Sequence, residues 1–272
     1  MNRPPAVAGR FYPGESLRLR QTVDALLAPS SESEAVAKPR SAMACVVPHA
    51  GYIYSGRVAG EVFRRIAIPR RVILIGPRHY PRGASAAILS EGTWETPLGY
   101  APLDSGLASK ISRLCSFLRE DEVAHSSEHS LEVQLPFLQR LAPSFSFVPI
   151  VLGPVNYEHL EQLGQALAEI IRSEGEPVLI VASSDMNHYE SDSVTRVKDN
   201  KAIDRILEID PRGLFDTVRR EEISMCGYAA VTAMLAAAGA LGANRAALIR
   251  YATSGEVNDD LDQVVGYAGM IV

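Results

Sequence analysis

The 272-residue chain holds only three cysteines, Cys45, Cys115 and Cys226. An odd number, widely spaced, does not make a disulfide framework and suits a reducing cytosol. Basic blocks are missing as well. The formal net charge is −5, and no cluster of Lys and Arg breaks the pattern, so the charge gives no support for binding nucleic acid. No apolar run is long enough to cross a membrane. The longest, the alanine-rich stretch Ala229–Leu241, falls short of the ~20 residues a spanning helix needs. The opening residues, "MNRPPAVAGRFYPG", lack the long apolar core of a secretory signal. No fixed-period repeat is visible, and no inner linker divides the chain. What remains is an ordinary globular balance, 47% hydrophobic and 22% charged, with material for a sizeable core.

Strand and helix patterns alternate along it. Short apolar runs at Met43–Val47, Arg71–Gly76, Ala84–Ser90, Phe145–Leu152, Pro177–Ala182, Ala246–Thr253 and Val264–Val272 read as strands. Helical spacing marks Glu15–Leu27, Gly56–Ile66, Ser105–Leu118, Ser130–Leu141, Tyr157–Arg172, Ser193–Leu207, Pro211–Arg220 and Gly227–Ala240. Pro136 is expected to kink or delay one of these helices. Arg3–Pro13 reads as an extended arm, and 28–40, small and polar, as a surface loop. The order predicts one α/β domain over residues 1–272, a central, mostly parallel or mixed β-sheet flanked by helices.

Three of the six histidines stand just past three of these strands: Pro48-His49, Pro77-Arg78-His79, and His188 in "SSDMNHY". Ligands of open α/β sheets bind beyond the carboxyl ends of the strands. If the three strands are parallel neighbours, the imidazoles converge. Taken singly, each is more often a loop or capping histidine, but a proline fixes φ and holds the next side chain in a defined direction, which a metal ligand needs. Cys226 lies immediately before a helix, where the helix end favours thiolate; the plainer reading is a small buried hydrophobe. Asp185, three residues before His188, can orient that imidazole, ligate a metal, or cap the following helix. His125, Glu128 and His129 in "HSSEHSLEVQLPFL" form a polar cluster fit to line a pocket, assigned to substrate contact or to support of the ligands. Tyr54, in the glycine-rich turn after His49, and Arg78 join that set.

Two histidines and a cysteine suit zinc, iron or copper. His49, His79 and Asp185 would instead make the two-histidine, one-carboxylate set of non-haem Fe(II) oxygenases. Imidazole titrates closest to neutral among the side chains, which makes an unligated His188 the natural general acid and base.

"AVAGRFYP", "VVPHAGYIYSG", "IGPRHY", "EHSLEVQLPFL", "VPIVLG", "SSDMNHY", "CGYAAV", "TSGEV" and "VGYAGM", in this order from Ala6 to Met270, resemble the Memo-like family, called AmmeMemoRadiSam system protein B in prokaryotes. That family is similar in fold to the class III extradiol (LigB-like) dioxygenases, which use non-haem Fe(II). The resemblance implies that His49 and His79 are metal ligands, that Cys226 is the third where the dioxygenases carry a carboxylate, and that His188 is the acid/base, with Asp185 in the same pocket. It also implies a link to a radical-SAM protein and an Amme-type protein. Arg78 stands where an asparagine is expected, and would add positive charge if it pointed inward. "DMNHYE" stands where an aromatic residue and a serine are expected before the histidine. The leading expectation is a redox protein with Fe(II), or copper, acting on a small aromatic substrate. A metal- or peptide-binding scaffold without turnover and a zinc-dependent hydrolase are the alternatives.

Overall fold

Runs such as "VILIG" and "VLIVA" are apolar at every position, not at alternate ones, which requires strands covered on both faces. The computed structural model, which describes residues 2–29 and 38–272, meets that requirement with a nine-stranded sheet between two helical layers. The strands are β1 Asn2–Arg3, β2 Ala44–Val47, β3 Arg71–Pro77, β4 Ala86–Ile88, β5 Thr93–Thr96, β6 Gly99–Pro102, β7 Arg119–Glu120, β8 Ser146–Leu152, β9 Val178–Ser183, β10 His188–Glu190, β11 Ala247–Thr253 and β12 Val264–Ile271. The large sheet runs β10–β12–β2–β9–β3–β8–β4–β7, with β11 also paired to β12. Its centre, β2–β9–β3–β8, is parallel; β12 and β4 join it antiparallel, so the sheet is mixed. β1, β5 and β6 make a separate small sheet.

Alternate residues along each central strand enter opposite cores. Ile73, Ile75, Val46 and Ile180 face one side; Val72, Leu74, Val47 and Leu179 face the other. The helices are α1 Ser16–Leu27, α2 Tyr52–Phe63, α3 Ser105–Leu114, α4 Glu122–Ser126, α5 Leu135–Leu141, α6 Tyr157–Ser173, α7 Asp192–Leu207, α8 Pro211–Arg220, α9 Tyr228–Ala240 and α10 Gly255–Asn258. The first core is closed by α3, α6, α7, α8 and α9, the second by α1, α2 and α5. α9 is buried nearly all round, which explains its alanine-rich sequence: a β-carbon at Gly164 of α6 would overlap Ala236 and come 2.8 Å from the Ala233 carbonyl.

The elements differ from the sequence reading mainly at their ends. The helix expected from Gly56 starts at Tyr52, whose N–H donates to the Phe11 carbonyl. The helix expected to reach Leu118 stops at Leu114. Pro136 sits in the first turn of α5, after a 3-10 turn at Glu132–Gln134, where its missing N–H is harmless. The β5–β6 hairpin and β10 carry no clear sequence pattern. Of the expected loop 28–40, residues 30–37 lie outside the described residues.

The proline-rich arm is anchored from within. The Arg3 guanidinium is fully buried, 2.7 Å from Glu132 Oε2 and stacked 4.1 Å over Trp94; it also donates to the carbonyls of His125 and Glu128. Glu132 further accepts the N–H groups of Ala6 and Val7 and the Tyr12 hydroxyl. Every lone pair of that buried carboxylate is used, so the arm lies in one position.

Candidate metal centre

β2, β9 and β3 are adjacent and parallel, with Val47 opposite Ser183 and Ile75 opposite Ala182. Their carboxyl ends are therefore level, and the residues that follow them meet at one end of the sheet. There a cavity of about 640 Å³ is lined by His49, His79, His129, Asp185, His188 and Cys226, with Phe11, Tyr189, Val265 and Tyr267 as its apolar wall. The arm supplies Phe11, whose ring lies 4.6 Å from that of His129.

His49, His79 and His129 could hold a metal ion: one ring nitrogen of each lies within 4.8 Å of the other two. Their hydrogen bonds fix how two of them present. Ser183 Oγ donates its proton to the Ser130 carbonyl and accepts from Gln134 Nε2, so toward His49 Nδ1, at 2.9 Å, it can only accept. His49 thus carries its proton on Nδ1 and a lone pair on Nε2. His79 Nδ1 is 2.9 Å from Glu128 Oε1, and the His79 N–H donates to Oε2. Burial would raise the Glu128 carboxyl, yet the hydrogen bond and charge of His79, with the charge of His129, bring it down to about 2. As a carboxylate it only accepts, so His79 carries a proton on Nδ1 and turns Nε2 away from Glu128. Burial, then the neighbouring His79, holds His49 well below the usual imidazole range; burial, then His49, brings His129 down to about 4. Neutral imidazoles are what a metal requires. His129 Nδ1 is buried without a hydrogen-bond partner. The donor set fits a divalent ion of borderline softness.

Asp185 accepts the N–H groups of His49 and Ala50 through Oδ1, and burial raises its carboxyl. It ties down the His49 backbone; no hydrogen bond links it to the His188 imidazole, and it caps no helix. Ser224 orients His188 instead. Its carbonyl takes the Nδ1 proton at 2.9 Å, its hydroxyl takes the backbone N–H at 2.7 Å, and Nε2 is left as the acceptor. Tyr189, with φ at +62°, turns the chain sharply beside it.

Cys226 Sγ lies 3.1 Å from His49 Nε2, which accepts from the thiol. Against the preference for thiolate expected at the helix end, burial, then the Asp185 carboxylate, pushes the thiol up. Only a cation beside the sulfur would reverse that balance. Gly227 brings the sulfur in, since its N–H donates to Ser184 Oγ and a β-carbon there would overlap the Ser183 carbonyl.

Three residues expected near substrate stand apart from the cavity lining. The Arg78 guanidinium donates to the carbonyls of Gly83 and Ala84, so its charge is spent on that turn. His125 is fully buried, its Nδ1 bonded to the Asp121 carbonyl and its ring against Trp94. Tyr54, on α2, is more than a third exposed and is not among the residues that line the cavity. Ser183, Ser224 and Gln134, which aim the imidazoles, were not singled out by the sequence reading; isolated Ser and Gln residues give no signal of their own.

A family model described as "Memo-like protein" matches residues 3–271. A MEMO1 family protein of Methanopyrus kandleri is 38% identical, over 100% of this chain and 99% of its own. Another, of Pyrobaculum arsenaticum, is 42% identical, over 99% of this chain and 98% of its own. Among solved structures, an uncharacterized protein from Escherichia coli K12 superposes with a TM-score of 0.58 at 13% identity, over 84% of this chain and 99% of that one. At that identity the likeness concerns the fold alone.

Proposed function

The chain belongs to the Memo-like family, and from that membership together with the cavity we propose a metal-dependent redox protein acting on a small, neutral, hydroxylated aromatic substrate. The supporting observation is the group of three histidine donors within 4.8 Å, two of which bond through Nδ1 to Ser183 and Glu128 and so turn Nε2 away from them. His49 and His79 would hold the ion, with Cys226, beside His49, as the third donor that the family resemblance implies. Iron is the leading metal, copper or zinc the alternatives. A bound iron or copper ion would supply Lewis acidity and one-electron chemistry.

The chain's own residues do the rest. His188 Nε2, left as acceptor by Ser224, takes the proton of a substrate hydroxyl. Asp185 holds the His49 backbone, and so the ligand, in place. Phe11, Val265 and Tyr267 offer an apolar wall for a flat ring. Among the described residues, no Lys or Arg lines the cavity, which disfavours phosphorylated or otherwise multiply anionic substrates.

The test is metal content by mass spectrometry on protein purified without oxygen or chelator, beside His49→Ala, followed by an oxygen electrode with phenols and catechols. Stoichiometric iron or copper, absent from the variant, with oxygen uptake, supports the reading. Stoichiometric zinc with indifference to oxygen replaces it with a hydrolase. Absence of metal even after reconstitution replaces it with a binding scaffold.

A further inference from the structure

Tyr267 brings more than its ring to the cavity wall. The residue is 2% exposed and lines the cavity. Its ring packs with Val58 and Ala252. The other tyrosines buried to a similar degree, Tyr12, Tyr52 and Tyr157, donate through their hydroxyls to Glu132, the Val133 carbonyl and Glu161. The Tyr267 hydroxyl has no hydrogen-bond partner among the described residues. Nor is it sealed off, for it does not stand among the buried polar atoms left without a partner. The little of Tyr267 that is accessible therefore includes this oxygen, and the surface it reaches is the cavity. A buried tyrosine hydroxyl ordinarily finds a partner within the protein; this one is directed at what enters the cavity.

Strand register sets it beside His188. β12 meets β10 with Val265 opposite His188, and residues directly opposite share a face. Val265 and Tyr267, two apart on one strand, face the same way. All three line the cavity. The hydroxyl also feels the charges of Asp185, Tyr54 and Tyr189, of which Asp185 and Tyr189 belong to the same lining. Burial first, then Asp185, raises the phenol, so it keeps its proton and is a donor. An acceptor, His188 Nε2, and a donor, Tyr267 Oη, thus stand along one wall.

Resting on the reading of this cavity as a substrate site, we infer that Tyr267 is a substrate-contact residue: its hydroxyl donates a hydrogen bond to an oxygen of the substrate next to the hydroxyl that faces His188. A ring without that second oxygen would leave the Tyr267 hydroxyl unpaired and would be disfavoured for that reason.

The experiment is a calorimetric titration of catechol, without oxygen, into the Co(II)-reconstituted full-length protein, comparing wild type with Tyr267→Phe, which removes the hydroxyl and keeps the ring. Urea unfolding of both proteins reads whether the hydroxyl also serves the fold. From the net worth of one hydrogen bond, the variant should bind catechol about tenfold more weakly, with an unchanged urea midpoint. Catechol binding by the variant within about twofold of wild type overturns this inference and leaves the reading of the cavity standing. A lowered urea midpoint overturns it as well, because it shows the hydroxyl already bonded within the protein. No catechol binding by the wild type overturns both the inference and the reading it rests on.

Discussion

Asp199 gives the sharpest test of the structure around the site. It lies on α7, fully buried, where Oδ1 accepts the Asn187 N–H at 2.8 Å and Oδ2 accepts the Tyr251 hydroxyl at 2.7 Å. Gly266 of β12 leaves the room for it, since a β-carbon there would overlap the carboxylate. Burial raises its pKa from 3.8 to about 7 despite both hydrogen bonds. Between those values the folded chain keeps a proton that the unfolded chain releases, so this group's contribution to stability falls as pH rises. At about 1.4 kcal/mol per unit, the full fall is ~4 kcal/mol, of which ~3 kcal/mol lies between about pH 4.5 and about pH 8. Asp199→Asn keeps the side-chain shape; its oxygen still accepts from Asn187, and its amide donates to a Tyr251 hydroxyl turned to accept. The assay is urea unfolding of both proteins across that range, reading the difference in stability. His125 and His129, both depressed to about 4 by burial first, work in the opposite direction in this window, but both proteins carry them and they cancel. The variant should gain on the wild type by ~3 kcal/mol as pH rises. Profiles parallel to within ~1 kcal/mol would refute the placement of an ionisable group in that network.

The remaining predictions concern the arm, the entry of Cys226 and the imidazoles. Glu132→Gln breaks the buried pair with Arg3 and should cost about 3–5 kcal/mol; an unchanged urea midpoint would show that the arm is not held there. Gly227→Ala puts a β-carbon 2.6 Å from Ser184 Cβ, and overpacking of this kind should cost ~1–3 kcal/mol, again read in the urea midpoint, where no loss counts against the close approach of Cys226. Nitrogen-15 NMR of the metal-free protein should find the Nδ1–H tautomer at His49, His79 and His188, as Ser183, Glu128 and Ser224 dictate. A neutral Nε2–H form at any of the three contradicts the hydrogen-bond assignment.

How far a sequence reading reaches depends on whether a feature is local. Arg71–Pro77, Val178–Ser183 and Pro211–Arg220 lie within about a residue of their expected bounds because periodicity and proline act within a few residues. β10, three residues with a register irregularity, exists only because β12 is there to pair with it. His125 and Arg78 went the other way: each is polar and close in sequence to a site residue, yet the Asp121 carbonyl captures one and the turn at Gly83–Ala84 the other. His129, expected to touch substrate or support the ligands, stands among the three grouped donors, its ring stacked on that of His79.

By itself the sequence determined that strands would end in His49, His79 and the Asp185–His188 segment, since apolar runs and the residues that stop them are read from neighbours along the chain. Only the tertiary structure decided that β2, β9 and β3 are parallel neighbours with level ends, which sulfur and which imidazoles meet there, and which nitrogen each histidine presents. Those choices belong to contacts between residues more than a hundred positions apart, such as Asp185 with His49 or Cys226 with His49. Their hydrogen bonds are set by burial and packing that no local window of residues contains.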